Sequence, residues 1–111
     1  MKGALEAAEL YPDEIDYINA HGTGTPNNDL TEGLAAMRLF GDQMPPLSSI
    51  KAFTGHTTSA AGSFEAVVSL LALEHNFLPV TDSTPQRPLR HVISNSFGFG
   101  GNDSAIIFSK I

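Results

Sequence analysis

The order of apolar and polar residues divides the chain into alternating helical and extended segments. Lys2 to Leu10 reads as the tail of a helix that stops at Tyr11-Pro12, and Ile15 to Ala20 follows as a strand whose apolar members suit a buried parallel position. After the loop Gly22-Thr23-Gly24-Thr25-Pro26, Asp29 and Glu32 have the spacing of a capping box, and Leu30, Leu34 and Met37 line one face. This predicts a helix from Asp29 to Phe40, closed by Gly41. Pro45 and Pro46 interrupt the chain before a short strand, Leu47 to Ile50, which delivers Lys51 and a polar Gly/Thr loop holding His56. The next helix, Ser59 to His75, carries Phe64, Val67, Val68, Leu70, Leu71 and Leu73 around almost its whole circumference, so both of its sides are expected to be buried. Pro79, Pro85 and Pro88 make Leu78 to Leu89 an irregular connector. Two extended runs, His91 to Phe97 and Ser104 to Ser109, then flank Gly98-Phe99-Gly100-Gly101-Asn102-Asp103 and predict a hairpin. The expected architecture is one layered α/β domain over residues 1–111, with a mixed sheet and helices on both faces.

Composition removes several functions. Six basic and twelve acidic residues give a formal charge of −6, which opposes the phosphate-neutralising surface that nucleic acid requires. No cysteine is present, so there is no disulfide, no thiolate metal site and no thiol nucleophile within the chain. Met1 to Glu14 has no continuous apolar run of the kind a signal peptide needs. Ala60 to Leu73, broken by Glu65, is too short to span a bilayer. The expectation is a cytoplasmic protein with neither a membrane nor a nucleic-acid partner.

His21 and His56 each stand where a strand runs into a Gly/Thr-rich loop ahead of a helix, where open α/β sheets place their ligands. From position alone two readings stay open: a pair of working imidazoles, or side chains that each hydrogen-bond a loop carbonyl. His75 and His91 fit the second reading better. Glu65 lies in the most apolar helix, where an ionised carboxylate is costly without a cation, and Lys51 is the obvious partner. The loop at 98–101 is not a dinucleotide fingerprint, because a strand follows it. It permits close backbone approach, with amide N–H groups available to an oxyanion. His21, His56 and Asp29 lack zinc-ligand spacing, so no metal site is expected.

Three segments together resemble the β-ketoacyl-(acyl-carrier-protein) synthases: Asn19-Ala20-His21-Gly22-Thr23-Gly24-Thr25-Pro26 with Asp29, Ser49-Ile50-Lys51 through Thr54-Gly55-His56 to Ala60-Ala61-Gly62, and Ser94-Asn95-Ser96-Phe97-Gly98-Phe99-Gly100-Gly101. The resemblance covers nearly the whole chain and corresponds to most of the C-terminal half of such an enzyme. It implies a thiolase-like half whose helix from Ser59 shares a central layer with an N-terminal half that carries the nucleophilic cysteine. It further implies decarboxylative Claisen condensation with malonyl-carrier protein, its substrates carried on phosphopantetheine and no other cofactor bound. By this resemblance His21 and His56 act at the malonyl thioester, and Lys51 with Glu65 holds the site's electrostatics. Phe97, Gly98, Phe99, Gly100 and Gly101 form gate and oxyanion hole, Thr23 and Thr25 contact the pantetheine arm, and Asp29 supports them. Implied partners are acyl carrier protein, the N-terminal half and a second copy of the chain; the alternative is a non-catalytic partner subunit of the same fold. The sequence departs from the family pattern in two places. Asn102-Asp103 replaces the usual Thr-Asn, and the connector from Leu78 to His91 is short.

Overall fold

The computed structural model describes residues 1–80 and 84–111. Its centre is a four-stranded sheet in the order β2-β1-β3-β4, formed by β1 (Tyr17–Asn19), β2 (Leu47–Ser48), β3 (His91–Gly98) and β4 (Asn102–Ser109). β1 runs parallel to both β2 and β3, and β3 pairs antiparallel with β4 from His91↔Ser109 to Gly98↔Asn102. The hairpin is therefore present, with strands reaching further into the glycine loop than the apolar pattern shows: only Phe99, Gly100 and Gly101 form the tip.

The helices are α1 (Lys2–Ala8), α2 (Pro26–Phe40), α3 (Lys51–Thr54) and α4 (Ala61–His75). On one sheet face, Leu5 of α1 and Ala36 and Phe40 of α2 pack on Ile18 and Ile93; on the other, Ala72 and Leu73 of α4 pack on Tyr17 and Val92. A mixed sheet with helices on both faces is what the alternation of elements predicted. The irregular connector is tied down by a bridge between Phe77 and Gln86 and by the Ser48 hydroxyl, which donates to the Pro79 carbonyl and accepts a hydrogen bond from the Tyr17 hydroxyl. Part of the connector, residues 81–83, lies outside the described residues.

Four sequence expectations need correction. α2 begins at Pro26 with Thr25 as its N-cap, so Asp29 and Glu32 are not a capping box. The buried face of α2 is Glu32, Ala36 and Phe40, while Leu30, Leu34 and Met37 are exposed. What reads as a loop after Lys51 is a single helical turn, ended by Gly55 at φ 66°. α4 is covered on one side only: Ala61, Glu65, Ser69, Ala72 and Leu73 are buried, whereas Phe64, Val67, Leu70 and Leu71 are 41–55% exposed. Leu73 apart, the face turned to the sheet carries small and polar residues, and the larger apolar face is the bare one. Among the described residues no helix is long and apolar enough to cross a membrane.

Candidate active site

The chain after β1 carries His21, Thr23 and Thr25, the chain after β2 carries Lys51 and His56, and α2, α4 and the β3-β4 hairpin supply Asp29, Glu65 and Phe97 to Gly101. Parallel pairing of β1 with β2 places Asn19 opposite Ser48, so the chain leaving β1 at His21 and the chain leaving β2 at Lys51 emerge side by side. His21 is 6% exposed and Lys51 8%. The Lys51 ammonium donates to the His21 carbonyl and to Glu65 Oε1, and lies 3.5 Å from His21 Nδ1. The ion pair expected between Lys51 and Glu65 is thus present, and both side chains are buried. Glu65 belongs to a polar seam beneath the loop. Asn19 Nδ2 donates to the Glu65 carbonyl and to Ser69 Oγ, both at 3.1 Å, and the Ser69 hydroxyl donates to the same carbonyl at 2.7 Å. Burial pushes the Glu65 carboxyl above its ordinary range, and Lys51 opposes that rise.

Glu32 holds the loop from the opposite sheet face. The backbone N–H groups of His21 and Gly22 donate to its Oε1 and Oε2 at 2.9 and 3.0 Å, and Asn95 Nδ2 donates to Oε1 at 2.9 Å. A buried carboxylate met by that many donors is well satisfied. Sequence reasoning assigned Glu32 to a helix cap and missed it as part of the site. The available signal was its four-residue spacing from Ala36 and Phe40, which makes a buried stripe with the carboxylate at its end.

Gly22 has φ +40°, and a Cβ there would lie 2.4 Å from Ser49 Cβ, a residue whose hydroxyl donates to the Gly22 carbonyl at 2.9 Å. Gly22→Ala combines positive-φ strain with a backbone-level clash, so it is expected to cost at least about 2 kcal/mol in urea denaturation. A loss below about 0.5 kcal/mol would show that the His21 loop yields freely.

His56 sits after α3, and its Nδ1 accepts the Thr58 backbone N–H at 3.1 Å. Thr58 adopts φ 49°, an uncommon conformation for a β-branched residue, and that turn aims the N–H back at the ring. The acceptor role at Nδ1 leaves Nε2 of neutral His56 carrying the proton. His21 Nδ1 faces an ammonium, which can only donate, so neutral His21 likewise carries its proton on Nε2. Burial lowers the proton affinity of His21 first, with Lys51 adding to it; Glu32 opposes, His56 lowers it further and Asp103 opposes.

The two rings meet edge to face, with centroids 5.7 Å apart, and the Phe97 ring lies 5.4 Å from His21. They share a cavity of about 700 Å³ whose lining includes His21, His56, Ser59, Phe97, Gly98 and Phe99. Phe99 is fully exposed at the hairpin tip. Gly100 and Gly101, at φ 89° and 83°, form the turn beyond it and do not line the cavity.

Thr23 and Thr25 are linked hydroxyl to hydroxyl at 2.9 Å, and Asp29 Oδ1 accepts the Gly24 N–H at 3.2 Å. Thr23 and Asp29 line a second cavity of about 580 Å³ beside the first, bounded by Gly22, Glu32 and Lys51. The sequence candidates therefore fall into one group around the imidazoles and another around the threonine loop. Among the described residues, no cluster of three or more His, Asp or Glu side chains could hold a metal ion.

A family model described as "Beta-ketoacyl synthase, C-terminal domain" matches residues 1–84. The chain is 42% identical to 3-oxoacyl-(acyl-carrier-protein) synthase 1 of Escherichia coli (strain K12), covering 100% of this chain and 30% of that protein. That alignment runs over 127 positions against 111 residues here, so the relative carries residues this chain lacks. Among solved structures, "The ishigamide ketosynthase/chain length factor" matches with a TM-score of 0.96 at 33% identity, over 99% of this chain and 31% of that one. A type II polyketide synthase acyl-carrier protein in complex with its ketosynthase bound to the hexaketide matches with a TM-score of 0.91 at 28% identity, over 99% and 31%. The chain spans about 30% of the length of the curated relatives it matches.

Proposed function

The chain belongs to the β-ketoacyl synthase family, and on that premise we propose that it supplies the decarboxylation half-site of a condensing acyltransferase. The observation that carries the proposal is the pair of imidazoles in one cavity, each with Nδ1 engaged as an acceptor and Nε2 left as the N–H donor.

In the proposed reaction a malonyl thioester places its carbonyl oxygen near those donors. The bond between the α-carbon and the carboxylate breaks, carbon dioxide leaves, and the electron pair moves into the enolate. His21 and His56 then stabilise the negative charge that appears on the thioester oxygen. Neutral imidazoles suit this task better than imidazolium ions. A neutral N–H is too weak an acid to quench the enolate by protonating it, so the carbanion survives to attack an acyl group. Burial and the Lys51 ammonium facing Nδ1 keep His21 neutral, and Glu65 holds Lys51 in place.

The acyl group would be held on a cysteine in the remainder of the protein, because this chain has none. That remainder is also the partner proposed for the bare apolar face of α4, which has the character of an interior surface. Thr23 and Thr25 would contact the phosphopantetheine arm that brings the malonyl group on its acyl carrier protein. What supports this placement is that the loop holding them leaves β1 directly after His21, with the two hydroxyls bonded to each other and Asp29 accepting the Gly24 N–H.

The test is release of carbon dioxide from malonyl-carrier protein. The chain by itself is expected to give none, and joining it to a cysteine-bearing N-terminal portion, in cis or in trans, is expected to give release above background. Silence in both complemented forms would refute the assignment.

A further inference from the structure

We propose that the imidazole cavity is built for an acyl chain that carries oxygen close to its thioester, a β-oxoacyl group in place of a saturated one, and that Ser63 and Ser96 are the residues that select it. The proposal deepens the reading of this cavity as the decarboxylation half-site and rests on it.

The cavity has room for more than malonate. Its volume of about 700 Å³ is that of a pocket for a drug-sized ligand, far more than a malonyl unit fills. Apart from the imidazoles and the phenylalanines, much of its wall is polar. Thr58, Ser59 and Ser63 come from the turn into α4 and the first residues of that helix, and Ser96, Asn102 and Ser104 come from the hairpin.

Hairpin register accounts for the second group. Ser96 is paired with Ser104 and Gly98 with Asn102, and alternation along the strands turns these side chains to the face that carries Val92, on which α4 packs. A Cβ at Gly62 would lie 3.5 Å from Ser96 Oγ, so that hydroxyl faces the start of α4, where Ser63 is next in sequence. Gly62, Ser63, Ser96 and Ser104 also bound a smaller cavity of about 340 Å³ that continues between α4 and β4 to Ile106 and Phe108. A chain entering past the imidazoles therefore meets hydroxyls first and hydrocarbon only afterwards.

These hydroxyls are available to a ligand. Ser104 donates to the Ser96 carbonyl at 3.2 Å, while among the described residues the side chains of Ser63 and Ser96 have no hydrogen-bond partner. Ser69, farther along α4, shows the contrast, since its hydroxyl is turned back onto the Glu65 carbonyl. A saturated chain lying against Ser63 and Ser96 would strip water from both hydroxyls and return nothing, at a cost for each. A carbonyl oxygen on the β-carbon accepts a hydrogen bond in place of that water. The malonyl carboxylate is the poorer occupant of this wall. Hydrogen bonds to it would be made in the ground state and lost as carbon dioxide forms, which slows the step the imidazoles promote.

The experiment compares S-acetoacetyl-pantetheine with S-butyryl-pantetheine, which differ only in having a carbonyl or a methylene at the β-carbon, by NMR titration of the amide resonances of the full chain. The acetoacetyl thioester is expected to bind about 3–10-fold more tightly, the effect of one net hydrogen bond, and to shift the amides of Ser63 and Ser96. In Ser63→Ala with Ser96→Ala the two affinities should become nearly equal, mainly through weaker binding of the acetoacetyl thioester, and each single variant should lose part of the difference. Equal affinities in the parent, or a preference for butyryl, overturn the proposal. So does a preference that survives the double substitution, or the absence of any shift with either thioester at millimolar concentration. Binding needs no turnover, so absence of carbon dioxide release in the complemented protein would count against the proposed reaction without altering this comparison.

Discussion

Glu65→Ala is expected to cost about 3–5 kcal/mol of folding stability, the largest loss of any single polar substitution in this chain. Lys51 and Glu65 have side chains 5% and 1% exposed, so removing the carboxylate leaves an ammonium with little access to water. The ammonium would retain only the His21 carbonyl and Nδ1, neither of which carries a compensating charge. A domain of this size has of order 5–15 kcal/mol in total, so such a loss would leave it near the edge of folding. Glu65→Ala also creates a cavity, and a double substitution separates the two effects. Lys51→Met with Glu65→Leu replaces the charges by apolar groups of similar volume and is expected to recover most of the stability while abolishing the site's electrostatics. Urea denaturation of the parent, Glu65→Ala and the double variant decides the matter. If Glu65→Ala falls within about 1 kcal/mol of the parent, water reaches the pair and its burial is of no energetic consequence.

The balance of what the sequence disclosed follows from the range of each signal. Strand-then-loop placement located His21 and His56 at the same end of the sheet, because the extended runs ending in β1 and β2 and the Gly/Thr-rich loops after them are distinctive in the sequence. The pairing of Lys51 with Glu65 was legible on energetic grounds, since a carboxylate in so apolar a helix requires a cation. The contact between Lys51 and His21 was not. It arises from the parallel register of Asn19 with Ser48, and nothing local to either segment records that pairing. α3 was missed for a related reason, as four residues hold barely one 3.6-residue period and a pattern needs at least two to be read.

α2 and α4 show a subtler failure. Apolarity was taken as the sign of the buried face, yet towards the site the buried residues are small or polar, Glu32 and Ala36 in α2 and Ala61, Glu65 and Ser69 in α4, and only Phe40 and Leu73, near the C-terminal ends, are large and apolar. The interior near the site is occupied by carboxylates that hold loops, so hydrophobic pattern reports the wrong side. For α4 the bare apolar face fits a surface made for further protein. The stripe Leu30, Leu34 and Met37 on α2 is equally exposed, and nothing in the structure explains it.

Loss of one imidazole donor is expected to slow carbon dioxide release from malonyl-carrier protein by on the order of 10²–10³-fold in the complemented protein, which is what one oxyanion donor contributes in a dry site. His56→Ala is the cleaner variant, because His56 is held by a backbone N–H and its removal leaves no charged neighbour stranded. His56→Gln tells donor from base. Its amide N–H reaches about as far as Nε2 but cannot accept a proton, and decarboxylation itself requires no proton to be removed. If His56 acts as a donor, the glutamine variant keeps a measurable part of the activity that alanine loses; if it acts as a base, both variants are equally slow. Because the two rings share one cavity with centroids 5.7 Å apart, they should serve the same oxygen. The double variant of His21 and His56 should therefore lose less than the product of the single losses. Fully multiplicative losses would mean that the imidazoles act in separate steps, and the common cavity would then have to be read as proximity without shared work.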